Sequence, residues 1–144
     1  MLKRLRELDR NQLHAILATE SDGQPYTSMI AYALAPDKKG IIFFTPKKTQ
    51  KYKNILKNKR VSILIDTRSN TEKDYMSAES LTVLGNAIPV RKGRRWSELA
   101  GTLIQKHPAL KTIINSPETK LIFVIINRCI HITKFQTVSE WILR

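Results

Sequence analysis

Phe43-Phe44-Thr45-Pro46-Lys47-Lys48-Thr49-Gln50-Lys51-Tyr52-Lys53-Asn54-Ile55-Leu56-Lys57-Asn58-Lys59-Arg60 reads as the end of a strand, a short turn and an amphipathic helix. Seven of the fourteen residues from Lys47 to Arg60 are basic, and no carboxylate lies between Asp37 and Asp66. Thr49 stands where a helix N-cap belongs, and Tyr52, Ile55 and Leu56 form an i, i+3, i+4 apolar stripe. Free backbone N–H groups at such a helix start, the hydroxyls of Thr45 and Thr49, and the ammonium groups of Lys48 and Lys51 together make a phosphate cradle. A solvated basic helix with one face on a sheet fits the same run. The surrounding chain has to choose between them.

Upstream, Leu2, Leu5, Leu8 and Leu13 fall at helical spacing among charged residues and predict an amphipathic first helix. His14 to Thr19 reads as a buried strand ending in Glu20-Ser21-Asp22-Gly23, a hairpin tip. The return strand starts at Gln24-Pro25, where proline's missing N–H costs least, and runs to Leu34. Pro36 to Gly40 is a second turn, and Ile41 to Phe44 a third strand, so the chain opens as an antiparallel meander.

Downstream, Arg60 to Asp66 is a fourth strand and Thr67 to Ala78 a polar loop. Glu79 to Val90 is a strand with Gly85 inside it, the mark of a bulge or of close backbone approach. Lys92 to Arg95 is a basic turn, Trp96 to Gln105 a helix, and Pro108 opens a short helix over Ala109 to Asn115. Leu121 to Ile126 is the last strong strand, weakening toward Thr133, and the tail carries Phe135 and Trp141. About six antiparallel strands with three or four helices predict a mainly β, closed or half-closed barrel with peripheral helices, because strand edges this apolar must be closed or covered. At 144 residues without repeat or linker, one domain is expected.

Composition narrows the function classes. The net charge of +13 calls for an anionic partner without choosing between nucleic acid, a membrane surface and a phosphorylated small molecule. Exposed aromatics, glycine-rich loops and a helix-turn-helix, the usual additions in nucleic-acid modules, are missing. The single cysteine, Cys129, excludes an intramolecular disulfide framework, and its apolar surroundings predict a buried thiol. His14, His107 and His131 are scattered without carboxylates at ligand spacing, so no metal site is assigned. No hydrolase elbow or glycosidase-type carboxylate pair appears, and no side chain is assigned as catalytic. Redox chemistry would come from a bound cofactor. With no signal-like segment at the start and no apolar run of spanning length, a cytoplasmic protein is expected.

The ordered set Leu17-Ala18-Thr19, Asp22-Gly23-Gln24-Pro25-Tyr26, Phe43-Phe44-Thr45, Thr49-Gln50-Lys51, Asn58-Lys59-Arg60-Val61-Ser62-Ile63-Leu64 and Thr82-Val83-Leu84-Gly85-Asn86-Ala87 resembles the pyridoxamine 5'-phosphate oxidase family. The match runs from about Leu17 to Val90, and weakly from His107-Pro108 to Trp141. The resemblance implies a split β-barrel that dimerises and holds flavin mononucleotide (FMN) between its subunits. It implies cofactor contacts at Ser28, Met29 and Ile30 on the second strand, at Phe44 and Thr45, at Lys48, Thr49, Gln50 and Lys51, and at Ser80. Lys51 matches the family's phosphate-binding lysine. Gln50 and Ser28 stand where the family carries arginines, Ala33 where it carries a lysine, and Ser80 where a glutamine is usual. The arginine-rich substrate motif of the true oxidases has no counterpart. Lys106-His107-Pro108 and Phe135-Gln136…Glu140-Trp141 look more like the haem-utilisation and general flavin-binding branch. The resemblance thus implies an FMN-dependent oxidoreductase of unknown substrate, with a flavin or haem carrier as its rival and a basic nucleic-acid-binding protein as a reading from another class.

Overall fold

The computed structural model describes residues 2–133 and 137–143; Phe135 and Gln136 lie outside the described residues. In chain order the elements are α1 (Leu2–Asn11), β1 (His14–Ser21), β2 (Gln24–Leu34), β3 (Gly40–Pro46), α2 (Gln50–Lys57), β4 (Arg60–Asp66), α3 (Asp74–Ser77), β5 (Ser80–Pro89), α4 (Arg94–Lys106), a 3-10 helix (Pro108–Thr112), β6 (Thr119–Thr133) and β7 (Thr137–Ile142). All pairings are antiparallel, in the order β3-β2-β1-β4-β5-β6-β7, and a further β3–β6 pairing closes six strands into a barrel. The expected mainly β split barrel is therefore present, with β7 as a seventh strand on the second half of β6.

Two-residue alternation writes the barrel's inside directly. Val61, Ile63 and Ile65 of β4 and Leu81, Val83, Gly85 and Ala87 of β5 are buried while the residues alternating with them face outward. Asp22 and Gly23 both take positive φ, 54° and 82°, as the tight β1–β2 turn requires. Gly85 answers a different demand. The β5–β6 register shifts between Leu84 and Gly85, and a Cβ on Gly85 would overlap the Ile125 carbonyl oxygen. The bulge lets β5 bend around the barrel with the β6 backbone pressed against it.

Helices complete the core. Leu5 and Leu8 of α1 join the interior cluster, and α1 is tied to β2 where the Leu34 N–H donates to Asp9 Oδ1 across 2.9 Å. Tyr52 and Ile55 of α2 enter the same cluster near Thr19 of β1. Outside the barrel, α4 sets Trp96, Leu99, Ala100 and Leu103 against Ile42, Leu121 and Phe123. Cys129 is buried, which pushes its thiol pKa up to about 11. No helix among the described residues is long and apolar enough to cross a membrane.

Three local expectations change. The 67–78 stretch contains the short α3, whose neighbourhood is organised by Asp74 accepting from the backbone N–H groups of Ser69 and Asn70. Pro108 opens a 3-10 turn ending at Thr112 rather than a helix to Asn115. The tail pairs as β7, and its Glu140 meets Arg128 of β6.

Candidate functional site at the start of helix α2

The end of β3 delivers Thr45 to the barrel interior, where it is fully buried, and Pro46 to Lys48 turn the chain into α2. Thr49 caps the helix, with its Oγ1 accepting from the Tyr52 N–H at 3.4 Å. The Thr45 and Thr49 hydroxyls also meet each other at 2.8 Å. These hydroxyls fix the entry angle of α2 and bond mainly within the turn. Lys48 is exposed. Lys51 is partly buried, and burial pulls its ammonium pKa below the usual lysine range. An ammonium that has lost part of its hydration beside a helix start gains most from an arriving anion.

Gln50 is exposed, but its side chain is tied down to the protein. Its Nε2 donates to Asn54 Oδ1 at 2.7 Å, and Asn54 Nδ2 donates to Thr19 Oγ1 at 3.0 Å. A three-residue polar rod therefore runs from the exposed helix start inward to β1. Gln50, expected from the resemblance to contact a cofactor, is thus a brace. Asn54 and Thr19 were not singled out from the sequence; the available signal was a polar residue directly beside Ile55 and four residues after Gln50.

The other candidates lie on different faces of the sheet. Ser28 and Ile30 share the inward face of β2 with Tyr32, and the Ser28 hydroxyl is buried without a hydrogen-bond partner among the described residues. Such an orphan is what a bound group's polar edge, or a water, would satisfy. Met29 points outward and is 65% exposed. Phe44 also points outward, its ring 6.3 Å from that of Trp96 under α4. Ser80 faces outward at the start of β5, opposite Asp66 and Ile132. The structure therefore gathers Thr45, Lys48, Thr49, Gln50 and Lys51 at one helix start. Met29 and Ser80 belong to the outer wall, separate from that cluster.

The donors at α2 fit a phosphate: Lys51, Lys48 and the first-turn N–H groups present positive charge, with no carboxylate in the sequence between Asp37 and Asp66. The Ser28 and Ser80 hydroxyls lie on opposite faces of the sheet and do not converge on one site within this chain. Metal chemistry has no comparable frame, because no group of three or more potential ligands occurs among the described residues.

A closed six-stranded antiparallel barrel with a capped helix after its third strand defines the split-barrel class. The pyridoxamine 5'-phosphate oxidase family model matches residues 1–129, and the chain belongs to that family. Solved structures share the fold. A heme binding protein from Mycobacterium smegmatis superposes with a TM-score of 0.85 at 17% identity, over 98% of this chain and 57% of its own. ChuZ of Campylobacter jejuni gives 0.82 at 16% identity, over 96% and 58%. HutZ, the heme storage protein from Vibrio cholerae, gives 0.75 at 16% identity, over 87% and 89%. This chain thus spans a little over half the length of the first two. Among curated proteins, no sequence matches significantly.

Proposed function

We propose that this protein is an FMN-binding flavoprotein, a flavin-dependent oxidoreductase that works as a homodimer with the cofactor between its subunits. Lys51 carries the reading: a partly desolvated ammonium at the capped start of α2, which the sequence resemblance matches to a phosphate-binding lysine. Lys51, Lys48 and the N–H groups of the first α2 turn bind the phosphate. Ser28 supplies a buried hydroxyl on the inward face of β2, and Ser80 one on the outer wall. When bound, the flavin supplies the redox step; the chain's residues anchor it and hold water away. A cytoplasmic location belongs to the same reading.

The outer wall supports the homodimer. Met29, Ile16, Leu64, Thr82 and Ile130 follow one another in register across β2, β1, β4, β5 and β6, all facing outward. A continuous, largely apolar row of this kind is a protein-facing surface. Leu64→Glu should give a monomer by light scattering; a parent that is itself monomeric removes the interface.

A haem-binding role on the same fold is the second reading, favoured by the heme proteins among the structural relatives. One experiment separates the two. FMN added to the purified protein should give a saturable shift of the flavin spectrum that Lys51→Glu abolishes, and NAD(P)H should then bleach it. A protein that ignores FMN and develops a haem absorption band on titration supports the second reading. Steeply salt-dependent DNA binding without cofactor uptake would move the assignment to nucleic acid.

A further inference from the structure

We propose that the cleft between the β5–α4 turn and the start of β6 is a binding site for a small phosphorylated molecule, separate from the cofactor anchor at α2. The cleft holds about 360 Å³ and is lined by Val90, Arg91, Lys92, Trp96, Pro117 and Lys120, among others, with no carboxylate side chain in its wall. A neighbouring cleft of about 270 Å³ shares Pro89, Val90 and Arg91 with it and adds Arg95 and Phe123.

The four cations here are left without a carboxylate, as are others among the described residues such as Lys48 and Lys51, but these four line two adjoining clefts. Arg4, Lys57, Arg68, Arg94, Lys106 and Arg128 each meet a carboxylate. Arg91, Lys92, Arg95 and Lys120 meet none among the described residues. Two of them rest on aromatic rings instead, Lys92 Nζ 3.5 Å from the Trp96 ring centroid and Arg95 Cζ 4.5 Å from that of Phe123. A ring face positions a cation without neutralising it, so the charge stays available to an anion. Pro89, Val90 and Pro117 give the cleft an apolar wall beside these charges. The combination suits a compact ligand with a multiply charged phosphate end and an apolar or planar body.

Nucleic acid fits this surface less well. Single strands are held by bases stacking on exposed aromatic faces. Trp96 is 7% and Tyr52 8% exposed, and Lys92 already covers the Trp96 ring.

Because Tyr52 also lines the cleft and Lys120 pairs with Thr45 across β3–β6, the test must keep the α2 anchor distinct. The full chain carrying Trp141→Phe has Trp96 as its one tryptophan. Titrating it with pyrophosphate at constant ionic strength should give a saturable change in Trp96 emission. The Arg91→Gln, Lys120→Gln double variant should raise the midpoint about tenfold or more, the charge-conserving Arg91→Lys, Lys120→Arg pair should keep most of the response, and Lys51→Gln should leave it unchanged. No saturable response, an equal response to sulfate, or a response lost to Lys51→Gln but kept by the double variant would each overturn the proposal. So would a single-stranded oligonucleotide that binds through Arg91 and Lys120 while pyrophosphate does not.

Discussion

Asn54 donates its side-chain amide to the Thr19 hydroxyl across 3.0 Å, and both residues are 2% exposed. This bond joins the middle of α2 to the end of β1, and through Gln50 it reaches the start of the helix. Burying two polar side chains is tolerable only because each satisfies the other. Asn54→Ala should therefore cost about 1–3 kcal/mol, since the Thr19 hydroxyl and the Gln50 amide both lose a partner. Gln50→Ala at the exposed end should cost about 0.5 kcal/mol or less. Urea unfolding of the two variants measures the difference, and an Asn54→Ala protein as stable as the parent would show that the brace carries no weight.

Gly85 and Gly23 are both glycines for structural reasons, but the reasons differ and so do the expected costs. Gly23 sits at φ 82° with nothing within 4 Å of a would-be Cβ, so Gly23→Ala pays only for its backbone conformation, about 1 kcal/mol. At Gly85 the obstacle is the β6 backbone at the Ile125 carbonyl, with Val124 Cγ1 at 3.0 Å. Strand backbone cannot step aside as a flexible side chain can. Gly85→Ala should cost about 3 kcal/mol, read as a fall in the urea midpoint several times that of Gly23→Ala. Equal effects would place the constraint in φ at both sites.

Gly85 also shows how far the sequence can be read. An interior glycine between Leu84 and Asn86 announced the bulge, and the two-residue alternation of β4 and β5 announced the barrel, because both record local backbone demands. The length of β6 was less legible. Asn127 and Arg128 break the apolar run, yet the strand continues because its second half pairs with β5 on one side and β7 on the other. β7 carries almost no inward signal of its own: Thr137, Val138, Ser139 and Glu140 are all exposed, and its pairing with β6 defines it. The helix start at Thr49 was legible because capping is local. The fate of Gln50 was not, since its partner's partner, Thr19, lies 35 residues from Asn54 in the sequence.

His107 links the end of α4 to β2, its Nε2 donating to the Tyr32 carbonyl at 2.8 Å, which leaves Nδ1 as the basic nitrogen. Burial lowers its pKa most strongly; the Lys106 ammonium and the His14 ring push the same way, while the Tyr32 carbonyl and Asp9 partly oppose them. Just below the ordinary histidine value the unfolded chain then binds more protons than the folded one, so stability falls as pH falls through that window. His107→Gln, which keeps an amide donor, should flatten the dependence of melting temperature on pH between about 7 and 5. An unchanged slope would assign the pH dependence to other groups.

Lys51 brings stability and binding into opposition. Its ammonium is pulled below the usual lysine range by burial, and no carboxylate among the described residues pairs with it to offset the lost hydration. Between that lowered value and the ordinary one the unfolded chain holds the proton more tightly, so folding is penalised below the window and stability rises with pH through it. Lys51→Met keeps most of the side chain's bulk and removes the charge. Without cofactor, this variant should melt at or above the parent's temperature, because a partly desolvated charge has gone. Its affinity for FMN should fall about tenfold or more, since a charge-assisted contact to phosphate is lost. Paired melts with and without FMN measure both effects, and the cofactor-induced rise in melting temperature should shrink in the variant. A variant that loses stability without cofactor while keeping its FMN affinity would make Lys51 a structural residue and remove the phosphate anchor from α2.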